Sequence, residues 1–423
     1  MEFLESRLIQ KRSTSVKALK NASVITMTAQ GSGKSQPVDV LLENGRISRV
    51  EQNAEIPSGA EVVDLRGKYV LPGLIDSHCH ITYSGGHIEE ELRLGSHERT
   101  LRAAHNAFLV LLSGVTTIRD PGGVDHIDIA VRNMINAGRL YGPRVVAGGQ
   151  MIAMTGGHGW FFGLEADGPN EVRRAARKQI KAGCDWVKFM ASGGFAELTE
   201  DPGAAQLDLD ELKAGVNEAK KAGKKTAAHA HSATAITNAV QAGIDSIEHG
   251  SFMDDETIQL LLTHNVFVVP TFSIYHKMIE KGIEKGLAPA IVDLTKRSWD
   301  MKVERLLKAY KAGVKIVAGT DSGSPTAPHG DFAAELEILV KIGLTPYEAL
   351  RTATANASQM LGLDREIGTI EAGKRADLTV LSDDPLKNIS ATRRVEAVFK
   401  DGNLYTIHDG ELTLPTAALC IPH

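Results

Sequence analysis

The sequence predicts an α/β protein: a (β/α)8 TIM-like barrel carrying a small β-sandwich domain formed by the N- and C-terminal segments. Three observations predict it. From about residue 70, apolar β-branched runs alternate with amphipathic helical runs, the pattern of a parallel sheet with helical crossovers. Eight such runs occur. Residues able to bind a metal or move a proton fall at the C-terminal ends of several of them, where barrels of this kind carry their chemistry.

Residues 17–69 read as short strands and turns, with runs at 38–42 and 47–50 joined by Glu43-Asn44-Gly45. The barrel strands are expected at 70–80, 115–121, 144–152, 186–191, 226–232, 246–250, 266–272 and 315–321. Helices at 171–182, 209–222, 233–242 and 255–264 show helical apolar periodicity, and Gly183, Gly223 and Gly243 stand where helices end. The run 291–312 is longer and more charged than a barrel helix needs, which suits a cover over the mouth or a contact with another subunit. After about residue 366 the strand-and-turn texture returns at 377–381 and 395–399, followed by Asp401-Gly402. The expected division is therefore 1–69 and 363–423 for the two parts of the small domain and 70–362 for the barrel.

A chain of 423 residues suffices for one large core and a small appendage. A net charge of -5 and the lack of a basic stripe with interleaved aromatics argue against a nucleic-acid partner. No apolar stretch reaches the ~18 residues of a membrane span. Three scattered cysteines, Cys79, Cys184 and Cys420, make no disulfide framework, and the start, Met1 to Arg7, lacks a signal core. A cytoplasmic protein is the expectation, although a secreted chain stripped of its signal would read the same.

His78 and His80 close the first strand. Residues two apart on a strand share a face, so both imidazoles can converge on one point as ligands for zinc or a similar ion. Lys188, His229, His249 and Asp321 follow in order on later strands. A charged lysine in an apolar strand is costly and cannot bind a cation. Its carbamate, formed with carbon dioxide, would be an anionic bridge able to hold two metals ~3.5 to 4 Å apart. His229 and His231 point to one side, and spacing alone does not choose between them.

These residues, with Leu71-Pro72-Gly73-Leu74-Ile75-Asp76, Gly319-Thr320-Asp321-Ser322 and the tail from Gly368 to Leu378, resemble the amidohydrolase superfamily over nearly the whole chain. The resemblance implies two divalent ions, usually zinc. His78, His80 and Asp321 would hold the first and His229 and His249 the second, with carboxylated Lys188 between them. It also favours His229 over His231 as the ligand. Thr155-Gly156-Gly157-His158-Gly159, Val187-Lys188-Phe189, Ala228-His229-Ala230-His231 and Ile247-Glu248-His249-Gly250 are similar to the branch of metal-dependent prolidases, Xaa-Arg carboxypeptidases and ochratoxin-degrading amidases.

The expected reaction is cleavage of an amide or peptide bond beside a terminal carboxylate, in a dipeptide, N-acyl amino acid or ochratoxin-like amide, by a metal-activated hydroxide. Asp321 would accept the water's proton and pass it to the leaving nitrogen. His158, on a flexible Gly-Gly backbone, is assigned to the oxyanion or the substrate carboxylate. His231 and Tyr275 are candidate substrate contacts. Cys79 reads as core, and Trp160, Phe161 and Phe162 as an apolar pocket wall or an oligomer contact. Cyclic amides, carbamates, ureas or lactones are the alternative substrates, and a non-catalytic binding barrel is the alternative class. The partners expected are a small-molecule substrate and further copies of the chain.

Overall fold

Two parallel sheets carry the elements that position the site, and the computed structural model describes them within residues 16–29, 33–408 and 411–413. Met1 to Arg7 and Cys420 lie outside the described residues. One sheet orders Arg144–Ala147, Val115–Asp120 and Leu74–Asp76 side by side. The other runs Leu164–Glu165, Ile152–Ala153, Trp186–Met190, Lys225–Ser232, Ser246–Phe252 and Phe267–Val269. Register aligns Met190 with His229, His229 with Glu248, and Ala230 with His249, which brings the strand ends to one level.

Helices lie between successive strands because their apolar faces need the sheet. Gly168–Ala182 buries Val172, Ala175, Ala176 and Gln179, and Ala233–Ala242 buries Ile236, Ala239 and Val240. Both stop at a left-handed glycine, Gly183 at φ 95° and Gly243 at φ 90°, where a Cβ would be strained.

Four expected strands differ from the sequence reading, and one of them, 266–272, is strand only over Phe267–Val269 before the helix Phe272–Lys281 begins. The run 70–80 divides at Gly73: Tyr69–Pro72 pairs with Leu378–Leu381 and Ser23–Val24, while Leu74–Asp76 pairs with Val115–Asp120. A Cβ at Gly73 would lie 2.1 Å from Thr116 Oγ1, so the crossing requires glycine. The run 144–152 divides into Arg144–Ala147 and a separate Ile152–Ala153. The run 315–321 forms no regular strand among the described residues. It is held by single bridges, Val268 to Ile316 and Cys79 to Ser322, and by Asp76, which accepts from the Thr320 amide (3.0 Å) and hydroxyl (2.6 Å). Asp321 has φ 56°, a left-handed turn that interrupts strand pairing.

The terminal segments supply two more sheets. One orders Arg46–Glu51, Asp39–Glu43, Lys17–Lys20 and Glu61–Asp64; the other joins strands from both ends around Leu378–Leu381 and Tyr69–Pro72. Leu19, Val40 and Ile47 from the first pack with Val70, Leu378 and Phe399 from the second in one hydrophobic cluster. No described helix is long and apolar enough to cross a membrane.

Candidate metal centre

Three residues turn left-handed where the site begins: His249 (φ 72°), within Ser246–Phe252, Thr271 (φ 50°) and Asp321 (φ 56°). Such conformations cost ~1 to 3 kcal/mol each in a non-glycine residue and persist only where packing over-determines them. The ligand atoms of His78, His249 and Asp321 fall within 4.8 Å of one another, and so do those of His229, His231 and His249.

Each imidazole is held by one nitrogen. His78 Nδ1 donates to Glu248 Oε2 at 2.7 Å, and His80 Nδ1 donates to the Gly122 carbonyl at 2.7 Å. His249 Nδ1 pairs with the Thr271 hydroxyl at 2.7 Å. His229 is held the other way round, its Nε2 donating to the Gly193 carbonyl at 3.1 Å, which leaves Nδ1 with the lone pair. His78 Nε2 and His80 Nε2 then face each other at 3.2 Å, with Asp321 Oδ1 3.4 and 3.3 Å away. Two imidazole lone pairs and a carboxylate oxygen around one point repel one another unless a cation or proton lies between them, so the donor set fits a metal.

The electrostatics agree for four of the five imidazoles; without a cation the fifth, His80, holds the proton. Burial, then neighbouring positive groups, holds His229, His231 and His249 well below the usual imidazole range, so all three are neutral at pH 7. Burial takes His78 down to about 4. Burial also opposes charge on His80, but hydrogen bonds to Asp120 and Asp321 prevail and raise it to about 9. Asp321 lies below the usual carboxylate range because His78 and His80 outweigh its burial.

Lys188, in Trp186–Met190, is buried, and burial pushes its amine down to about 8. No hydrogen bond and no ion pair within 4.0 Å holds that amine among the described residues. The carboxylate partner that would explain an ordinary buried lysine is missing at that range. Glu248, the strongest negative influence on that amine, is already claimed by Arg119, whose Nη2 donates to both its oxygens at 2.7 Å.

The residues expected to meet substrate gather around this core. The His158 ring stacks on His229 with centroids 4.2 Å apart, and its Nδ1 lies 2.8 Å from Glu200 Oε2. A Cβ on Gly194 would come within 2.4 Å of that ring, so the loop must be glycine there. Tyr275 is buried with its hydroxyl 3.4 Å from His231 Nε2. Phe162 packs on Tyr83, and Tyr83 stacks on His80 at 4.7 Å, linking the aromatic loop to the centre; Trp160 remains 41% exposed. Cys79 is buried beside Ser322, and burial drives its thiol well above the ordinary range, which removes it as a nucleophile.

Sequence reasoning did not assign Glu248, Arg119, Glu200 or Tyr83. Glu248 was visible only as the neighbour of His249, and nothing local ties it to His78 across the sheet. Glu200 lies in a loop with no periodicity to interpret.

Residues 69–405 match the amidohydrolase family. The chain is 34% identical over 377 residues to the ochratoxinase of Aspergillus niger, covering 79% of this chain and 75% of that protein. The solved A. niger ochratoxinase superposes with a TM-score of 0.82 at 29% identity over 93% of this chain and 96% of its own. An Xaa-Pro dipeptidase with methionine bound in its active site superposes with a TM-score of 0.86 at 31% identity, covering 93% of this chain and all (100%) of that one. The chain therefore belongs to the amidohydrolase family, as a hydrolase of its prolidase- and ochratoxinase-like branch.

Proposed function

We propose that this protein is a binuclear metal-dependent amidohydrolase that cleaves an amide or peptide bond beside a terminal carboxylate. The observation that carries the reading is the convergence of His78 Nε2, His80 Nε2 and Asp321 Oδ1 on one point, with the ring nitrogens 3.2 Å apart and their other nitrogens already engaged. His78, His80 and Asp321 would hold one ion, His229 through Nδ1 and His249 through Nε2 the other. Lys188, once carboxylated by carbon dioxide with loss of a proton from its amine, would be the anionic ligand between them. A buried amine depressed to about 8 offers a neutral fraction at physiological pH, and only the neutral form attacks carbon dioxide. The architecture proposed around this centre is a closed eight-unit barrel over 70–362, with 1–69 and 363–423 together forming a β-sandwich.

When bound, zinc or a similar ion supplies Lewis acidity and lowers the pKa of water towards ~7. The chain's own residues do the rest. Asp321 takes a proton from the attacking water at its carboxylate and returns it to the leaving nitrogen, which departs poorly as an anion. His158 and Tyr275 bind the substrate's carboxylate or developing oxyanion. The aromatic segment Trp160, Phe161 and Phe162 lines the side-chain pocket.

The likeness to an Xaa-Pro dipeptidase with a bound amino acid and to ochratoxinases supports an amide whose product carries a free carboxylate. A screen of zinc-loaded protein against dipeptides, N-acyl amino acids and cyclic amides tests this. Turnover of the first two groups is expected. Turnover of cyclic amides or esters alone would overturn the reading.

A further inference from the structure

We propose that Lys302 and Ser251 fix the tautomer of His231, so that its Nε2 is a hydrogen-bond donor towards substrate and not a metal ligand. The identity of the acceptor rests on the amide-hydrolase reading above; the proton placement does not. Proximity alone would make His231 a ligand, since its ring nitrogen lies within 4.8 Å of those of His229 and His249. What separates the three is the group that each ring's second nitrogen meets.

Lys302 enters from the long helix Pro289–Ala312 and is buried beneath the strand ends. Its Nζ lies 3.1 Å from the His249 carbonyl and 3.2 Å from Ser251 Oγ. It also lies 4.3 Å from the Tyr275 ring centroid and 5.1 Å from that of Phe272. A carbonyl accepts only, and an aromatic face attracts N–H, not a lone pair. Burial brings this amine down to about 7 against the pull of Glu335 and Asp321, but only the ammonium satisfies the carbonyl, the hydroxyl and both rings at once, and in that form Lys302 is the donor and Ser251 Oγ the acceptor.

The proton of Ser251 then has one place to go. His231 Nδ1 lies 2.8 Å from Ser251 Oγ. If Ser251 accepted from both Lys302 and His231, its own proton would be buried with no acceptor, at a cost of ~1 to 3 kcal/mol. The hydroxyl therefore donates to Nδ1, and neutral His231 carries its hydrogen on Nε2. That atom lies 3.4 Å from the hydroxyl of Tyr275, the other proposed substrate contact. An N–H cannot coordinate a cation, but it can donate to a carboxylate or an oxyanion. His229, two residues earlier on the same strand, has its Nε2 hydrogen turned to the Gly193 carbonyl, so its Nδ1 lone pair is free. Lys302 and Ser251 are thus positioning residues.

Correlation spectra of 15N-histidine-labelled protein read the tautomer directly, with the His231 signals identified by their loss in His231→Gln. A hydrogen on Nε2 is expected in the wild type, and a mixture of tautomers in Ser251→Ala and Lys302→Met. Zinc content by elemental analysis should stay at the wild-type level in His231→Gln and fall in His229→Gln. With a dipeptide substrate, Ser251→Ala should raise KM about tenfold, the size of one lost hydrogen bond, with a smaller change in kcat and recovery in Ser251→Thr. A hydrogen on Nδ1 of His231, or zinc lost from His231→Gln as from His229→Gln, would overturn the proposal. The spectrum needs no turnover, so absence of amide hydrolysis beside an Nε2 hydrogen would sink the substrate reading and leave the tautomer assignment standing.

Discussion

Lys188 is the residue on which the two-ion reading turns. It is buried, depressed to about 8, and lacks a hydrogen bond or close ion pair among the described residues. Lys188→Ala is expected to lose metal and activity together, with partial recovery in short carboxylic acids that occupy the place of a carbamate; unchanged zinc content by elemental analysis would exclude a bridging role. Asp321 separates binding from proton transfer. Asp321→Asn keeps an oxygen towards the ion but cannot relay a proton, so kcat should fall by ~10² to 10⁴ with much of the zinc retained. A drop of less than about tenfold at full metal content would make Asp321 a ligand only. The proposed ligands stand out in the sequence because they lie in or at the end of successive apolar runs, and the period of a strand puts His78 and His80 on one side. The residues that aim these ligands were not legible. Glu248 reaches His78 and Lys302 reaches Ser251 only after the chain has folded, and no spacing rule connects such pairs.

Elements depart from the sequence pattern where the site demands it. The eighth apolar run reads as a strand, yet Asp321 turns left-handed and its segment is held by isolated bridges, single backbone hydrogen bonds and the anchor to Asp76. The first run looks continuous, yet Gly73 passes against Thr116 and hands the chain from one sheet to another. Apolar periodicity cannot register either event, because both depend on what lies opposite. The loop after Trp186–Met190 is similar. Gly194 admits the His158 ring, which Glu200 then holds. Gly194→Ala should displace His158 from its stack on His229, raising KM for dipeptides several-fold while zinc content stays constant. Unaltered KM would mean that His158 does not meet substrate.

At the scale of the whole molecule, charged groups join the terminal segments to the body of the chain. Arg144 donates to Asp377 Oδ2 at 2.6 Å and to Asp401 Oδ1 at 3.0 Å, and Arg375 also reaches Asp401 at 2.8 Å. Asp377 is buried, so Arg144→Met would strand a carboxylate, a loss of about 3 kcal/mol. A fall in Tm of several degrees is expected; no change would show that the pair adds nothing to the join. Burial opposes the charge on Asp401, but Lys400, Arg144 and Arg375 outweigh it and hold the carboxyl below its usual range. A depressed pKa contributes stability above the unfolded value of ~3.9, and that contribution is lost as pH falls towards the folded value. Thermal melts between about pH 6 and 3 should therefore show a shallower acid loss in Asp401→Asn than in the wild type.

The most direct measurement is a zinc titration of chelated protein, with bound metal and hydrolysis of an N-acyl amino acid followed in the same samples. Activity should be absent without metal and should rise until two ions are bound per chain. Full hydrolysis in protein shown by elemental analysis to be metal-free, or saturation of both signals at a single ion, would contradict a two-metal amidohydrolase.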